Sequence, residues 1–254
     1  MESKSLEKKY NRSHIGETHI TKESLGGYEL TIIDGSTKPK YVTIQINDWV
    51  SEKGYKEVKN GSIKYPYHPS IYGKGYVGEG DAKITLEGKI TKVYKTWSGM
   101  IERVYDSKRL VKDPTYKNVE VCNEWLNFNT FAKWFEENYI EGYHLDKDLL
   151  STDNKIYSPE TCIFIPQALN KFLTNIKVTN TSGHIGVSWH KNSNRWVAQI
   201  KHPKTGKRIH LGLFKDIEEA SKVYKHKRNE YAMWWKYIAS KEYNLPKKAI
   251  NNIN

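Results

Sequence analysis

The chain has 254 residues, with 41 Lys and Arg against 29 Asp and Glu, and a formal net charge of +12. Two cysteines exclude a disulfide framework and a four-cysteine zinc site. No run nears the roughly 18 apolar residues of a membrane span, and the polar start MESKSLEKKYNRSH carries no signal-peptide core.

That length supports two or three small domains. Charge and reduced cysteines together point to a cytoplasmic protein with an acidic partner. The charge is concentrated at one end. From Thr181 onward there are 15 Lys and Arg against 5 Asp and Glu, which leaves +10 of the +12 in this last part. Nucleic-acid affinity should therefore reside there and fall steeply with salt.

Residues 1–80 read as a small β-rich module. Tyr28–Ile33 and Tyr41–Ile46 alternate as strands, separated by Asp34-Gly35-Ser36 and Pro39. Runs at Tyr55–Val58 and Gly61–Ile63 are expected to complete a barrel-like sheet. No catalytic constellation is visible, so the module reads as a folding or protein-contact element, with an accessory DNA-contacting barrel as the alternative. The stretch Tyr65–Gly80 contains Gly-Lys-Gly and Gly-Glu-Gly but lacks the spacing of a phosphate loop. It reads as an ordered linker with packed tyrosines.

Residues 81–175 change pattern. Val93, Trp97, Met100, Ile101 and Val104 share one helical face, and Val119–Cys122 is a short strand. Asn127 is placed to cap a helix carrying Phe128, Phe131, Ala132, Trp134 and Phe135. The run Tyr139–Leu150, a polar loop through Asn154, the run Tyr157–Pro166 and a short helix Gln167–Leu173 follow, which reads as strand, loop, strand, helix. This is the arrangement of a ββα-metal finger, in which a base and metal-binding oxygens hold one divalent cation against a scissile phosphate. Asp146 and Asp148 are the candidate carboxylate ligands, and Asn170 is the helix-borne one.

Residues 183–254 give three strands and a helix. Val187 and Trp189 oppose Ser188 and His190. Trp196, Ala198 and Ile200 oppose Arg195, Val197, Gln199 and Lys201, and Ile209, Leu211 and Leu213 oppose Arg208 and His210. One face is a core. The other is cationic and rich in hydrogen-bonding groups, which suits phosphates and base edges; the plain alternative is a solvated basic face. Lys191–Asn194 and His202–Gly206 fit hairpin loops, and Asp216 with Glu219 fits a helix start. The run Ala232–Ile238 should extend that helix. Its Trp234 and Trp235 are expected not to share one core, which leaves one ring for another domain or a partner and leaves a homodimer open.

The motifs GVSW, RWVAQI, HLGLF and EEASKVY, over about fifty residues, resemble the Apetala-type (ethylene-response-factor) DNA-binding domain. The resemblance implies major-groove contacts from Ser188, His190, Arg195, Gln199, Lys201, Arg208 and His210. Ser188, His190 and His210 stand where the family has arginines and tryptophans, so its target sequence does not carry over. LDKDLL, DNKIYSPETCIFIP and QALN, within Trp97–Leu173, resemble the HNH family of homing endonucleases, especially phage-encoded ones that join such a finger to an Apetala-type domain.

Two positions depart from the HNH pattern. Lys147 stands at the general-base histidine, and Thr161 at the usual asparagine. Flanking Asp146 and Asp148 should raise a lysine pKa, so Lys147 reads as a phosphate contact, while His144 can serve as base in a shifted register. The resemblance implies an α+β protein acting as a phage-type DNA endonuclease in the bacterial cytoplasm. Its cofactor would be Mg²⁺, or Mn²⁺ in its place, and its partner double-stranded DNA. The competing expectation is a non-catalytic, sequence-specific DNA-binding regulator; a third is an interaction protein recruiting a partner through its N-terminal module.

Overall fold

Apolar residues at period two build the N-terminal sheet. In the computed structural model, which describes residues 9–151, 155–174 and 181–254, strands β1 (Thr18–Ile20), β2 (Glu29–Gly35), β3 (Tyr41–Ile46) and β4 (Trp49–Gly54) pair antiparallel in the order β1-β2-β3-β4. Leu30, Ile32, Val42, Ile44 and Ile46 point to one buried side together with Trp49, Val58 and Ile63. The sheet is an open meander with edges at β1 and β4, not the expected barrel. The run expected as a further strand is a short helix, α1 (Tyr55–Lys59). Glu57 accepts the Gly54 backbone N–H at 3.3 Å, which holds the first turn and places Val58 in the core rather than in a ladder.

The tyrosine-rich segment that follows is ordered. Glu79 accepts from Trp49 Nε1 at 2.8 Å and from the Tyr67 hydroxyl at 3.1 Å. It leads into a small hairpin, β5 (Thr85–Leu86) and β6 (Lys89–Ile90), not into a helix. Helix α2 (Lys92–Tyr105) buries Trp97, Met100, Ile101 and Val104 at the spacing the sequence shows.

The chain divides into two compact units, Met1–Asp106 with Leu126–Thr130 and Ser107–Trp125 with Phe131–Asn254. The second begins with α3 (Ser107–Lys112), β7 (Glu120–Val121) and α4 (Asn123–Leu126). Asn127 caps α5 (Phe128–Asn138) as expected, its Oδ1 accepting from Asn129 N at 2.9 Å. Trp125, Phe131, Trp134, Phe135, Tyr139 and Phe164 then pack ring against ring, with centroids 4.4 to 5.3 Å apart for the closest pairs. β8 (Tyr143–Asp146) and β10 (Ile163–Pro166) form an antiparallel pair, β9 (Ile156–Tyr157) pairs parallel with β7, and α6 (Gln167–Leu173) follows β10. The expected polar loop through Asn154 and most of the linker after Thr174 lie outside the described residues.

The C-terminal part is a three-stranded antiparallel sheet, β11 (Val187–His190), β12 (Arg195–Lys201) and β13 (Arg208–Phe214), packed on a long helix α7 (Ile217–Lys241), with α8 (Lys247–Asn251) closing the chain. Asp216 Oδ2 accepts from Glu219 N at 3.1 Å, the expected cap. One strand departs from simple alternation. Ala198 pairs with Gly212 while Gln199 pairs with His210, so Leu211 is an extra residue. The bulge reverses the parity beyond it. Leu213 therefore lies opposite Val197 and is 38% exposed, and Phe214 takes the core side opposite Trp196.

Helix α7 has 25 residues and spans about 37 Å. Its first half packs Ala220, Tyr224 and Tyr231 on Val187, Ala198 and Ile200 of the sheet. Its second half packs Ala232, Trp235, Ile238 and Ala239 on Leu149, Ile165 and Leu169 of the β8–β10–α6 unit. Phe172 touches both clusters, and Arg228 lies over its ring at 4.5 Å while donating to its carbonyl at 3.2 Å. Trp234 and Trp235 do share one core. Trp235 is buried in it and Trp234 packs partly buried against it, their rings 4.9 Å apart. Adjacent helical side chains diverge by about 100°, but α8 and the tail supply Leu245, Ala249 and Ile253 and widen the apolar surface.

Gly186 precedes β11 with φ +71°, and a Cβ there would fall inside the Tyr224 ring. Gly186→Ala combines left-handed strain with overpacking and is expected to cost about 2–5 kcal/mol. Urea unfolding measures this; a change under about 0.5 kcal/mol contradicts the tight approach of Tyr224 to the backbone.

Candidate nucleic-acid interface and hydrolytic site

The seven residues proposed to contact DNA fall on one face of the β11–β13 sheet, as the register requires. His190 is opposite Arg195, Gln199 opposite His210, and Lys201 opposite Arg208. Ser188, His190, Arg195, Lys201, Arg208 and His210 are exposed and Gln199 is half-buried. His190 is oriented by its turn, with Nδ1 2.8 Å from Ser193 Oγ. No Asp or Glu occurs between Thr181 and Lys215, so the face carries no internal counter-charge. Lys201 directly across from Arg208 is a repulsive pair. It is an arrangement that an anion relieves.

The second cluster lies on β8. His144 and Asp146 share a face because they are two residues apart on a strand, and Leu145 turns the other way, opposite Phe164 in the aromatic stack. Their cross-strand partners are Ile165 and Ile163, which belong to the core that Leu169 of α6 enters. Asp146 Oδ1 accepts two backbone N–H groups, from Asp148 at 3.0 Å and Leu149 at 2.7 Å. Burial pushes the Asp146 carboxyl above the ordinary carboxylate range, against the pull of those two donors. A desolvated carboxylate with a raised pKa, on the same strand face as a histidine, is a candidate for a functional site.

Lys147 and Asp148 behave differently. The Lys147 side chain is only 10% exposed, pairs with Asp148, and has Tyr116 and Tyr157 rings 6.0 Å from its Nζ. As placed, its ammonium is a buried pin for the loop and does not face solvent. Asp148 is 65% exposed and bonded to that ammonium. Thr161, at the family's asparagine, closes the turn before β10, with Oγ1 donating to the Ile156 carbonyl at 2.8 Å. Sequence reasoning missed the tyrosine pair around Lys147, because Tyr116 lies far away in the chain.

Among the described residues, no three His, Cys, Asp or Glu side chains come together as a metal cluster. The oxygen donors that remain are Asp146 Oδ2 and the Asn170 amide, neither of which has a hydrogen bond among the described residues. These are hard oxygens of the kind that Mg²⁺ takes, an ion bound through one or two carboxylates that keeps several waters. Cys162 is no ligand: burial pushes its thiol up to about 12, and Cys122 is held at about 11 for the same reason. No helix among the described residues is long and apolar enough to cross a membrane. No family model, curated protein or solved structure matches the chain.

Proposed function

We propose that the chain is a metal-dependent DNA endonuclease of phage homing type, whose C-terminal sheet binds duplex DNA and whose β8–β10–α6 unit hydrolyses a phosphodiester. The observation that carries this reading is the single helix α7. Its first half packs on an acid-free cationic sheet and its second half on a strand–strand–helix unit that carries His144 and Asp146 on one face of β8, each through its own cluster. Arg195, Lys201 and Arg208 supply charge to the backbone, while Ser188, Gln199, His190 and His210 offer donors and acceptors to base edges.

In the hydrolytic unit His144 takes a proton from the attacking water as the water oxygen bonds to phosphorus and the P–O bond to the leaving oxygen breaks. Asp146 and Asn170 would hold the divalent cation. When bound, the cation supplies Lewis-acid stabilisation of the leaving oxygen. Lys147 is buried and paired with Asp148; its pairing fixes the loop that presents Asp146. The burial of Lys147 at the position expected for the general base favours a second reading, a non-catalytic DNA-binding regulator on the same frame. Nicking of supercoiled plasmid with Mg²⁺ or Mn²⁺ separates the two: intact plasmid under both metals ends the nuclease reading.

Duplex binding tests the sheet. Each lost phosphate contact lowers the salt slope by about 0.9, worth about 8-fold in affinity at 0.1 M salt. Lys201→Ala with Arg208→Ala is expected to weaken binding about 60-fold on this arithmetic and to do so on any sequence. Fluorescence anisotropy across a salt series reads this directly, and an unchanged slope would remove the sheet from the interface.

A further inference from the structure

Beside the reading face, α6 and the β12–β13 hairpin loop wall off a groove of about 650 Å³. Gln167 and Lys171 of α6 line one side of it with Thr174 at its C-cap, and Lys201, Lys204 and Arg208 line the other. Thus four uncommitted cations converge from two elements far apart in sequence, and among the described residues no carboxylate lines the groove. A fifth cation, Arg228, is already occupied by the Phe172 and Asn254 carbonyls. Among the described residues, none of Lys171, Lys201, Lys204 and Arg208 has an acidic partner. Concentrating like charges this way destabilises a fold unless an anion is present.

We propose that this groove is a clamp for the sugar-phosphate backbone of duplex DNA, in which Lys171 on α6 contacts phosphates of the same duplex that the sheet reads. The proposal rests on the sheet being a DNA-binding face and adds a second contact surface to it. Its consequence is positional. Lys171 follows Asn170 on α6, about 100° further round the helix, so the clamp and the proposed metal ligand share one short element. The interval between the bases read and the bond cut is then set by a rigid part, since α6 and the sheet are both packed on α7.

The test uses the full chain with duplexes of unrelated sequence, titrated by anisotropy over a range of salt. Lys171→Gln is expected to lower affinity about 8-fold at 0.1 M salt and to reduce the salt slope by about 0.9, equally on every duplex. Lys171→Arg should restore both, and Lys225→Gln, on the exposed side of α7, should change neither. If Lys171→Gln behaves like Lys225→Gln while Lys201→Ala with Arg208→Ala still weakens binding, the clamp is refuted and the sheet interface stands. A loss confined to single-stranded oligonucleotides refutes the clamp as well. If the wild-type chain shows no salt-dependent duplex binding, the interface and the clamp fall together.

Discussion

Asp146→Asn should lose metal-dependent nicking by roughly 10³-fold, about 4 kcal/mol of transition-state stabilisation, and yet melt at a higher temperature than the wild type at neutral pH. The two halves have one cause. Burial raises the Asp146 pKa above its usual 3.8, so the folded chain pays to hold this carboxylate ionised. The sign follows from proton linkage. Between the ordinary value and the raised one, the folded state binds more protons than the unfolded state, so stability falls as pH rises through that window. Above it the full penalty persists. Asparagine keeps an oxygen for the Asp148 and Leu149 N–H groups and carries no charge. Its advantage should therefore vanish below about pH 4, where Asp146 is protonated in both states, and reach a plateau at neutral pH. Added Mg²⁺ should raise the melting temperature of the wild type and leave the variant unmoved. Nicking by Asp146→Asn at the wild-type rate would end the assignment; a lower neutral-pH melting temperature would end the account of its burial.

The same residues show which features a sequence exposes. The Asn127 cap, the Asp216 cap, the face of α2 and the three C-terminal strands rest on neighbours within a few positions, so spacing reveals them. The N-terminal barrel failed because Tyr55–Val58 has the residues for either state, and the Glu57 bond to Gly54 N settles it locally as helix. Leu213 was assigned to the wrong face because a bulge is set by pairing partners and leaves no trace in strict alternation. Of the candidate site, the residue identities were legible but their states were not. Lys147 looks exposed between two aspartates in the sequence. Only the packing of Tyr116 and Tyr157 around it makes it a buried pin. The coupling of sheet to finger was also invisible. The sequence suggests a short polar tether, whereas the connection that matters runs through the second half of α7.

That connection can be cut at one residue. Trp235 is 1% exposed and touches the cluster formed by Leu149, Ile165, Leu169, Ile238, Leu245 and Ile253. Truncating it to alanine should cost about 3–5 kcal/mol, the range for removing a buried tryptophan. Its Nε1–H is buried without a hydrogen-bond partner among the described residues, and an unmade bond of this kind detracts from stability. Trp235→Phe keeps most of the ring and discards the orphaned donor, so it should cost much less than the alanine variant. The functional consequence is selective. Leu149 donates its N–H to Asp146, and Ile165 lies across from His144, so loosening this cluster disturbs the proposed hydrolytic unit directly. The sheet keeps its own cluster around Val187, Ala198, Ile200 and Tyr224. At a temperature where Trp235→Ala remains folded, nicking should fall while duplex affinity holds. Equal losses in both would mean that the sheet depends on the far half of α7 as much as the finger does. Urea unfolding followed at the tryptophans measures the energetic part, and a phenylalanine variant as unstable as the alanine one would show that the indole N–H has a partner after all.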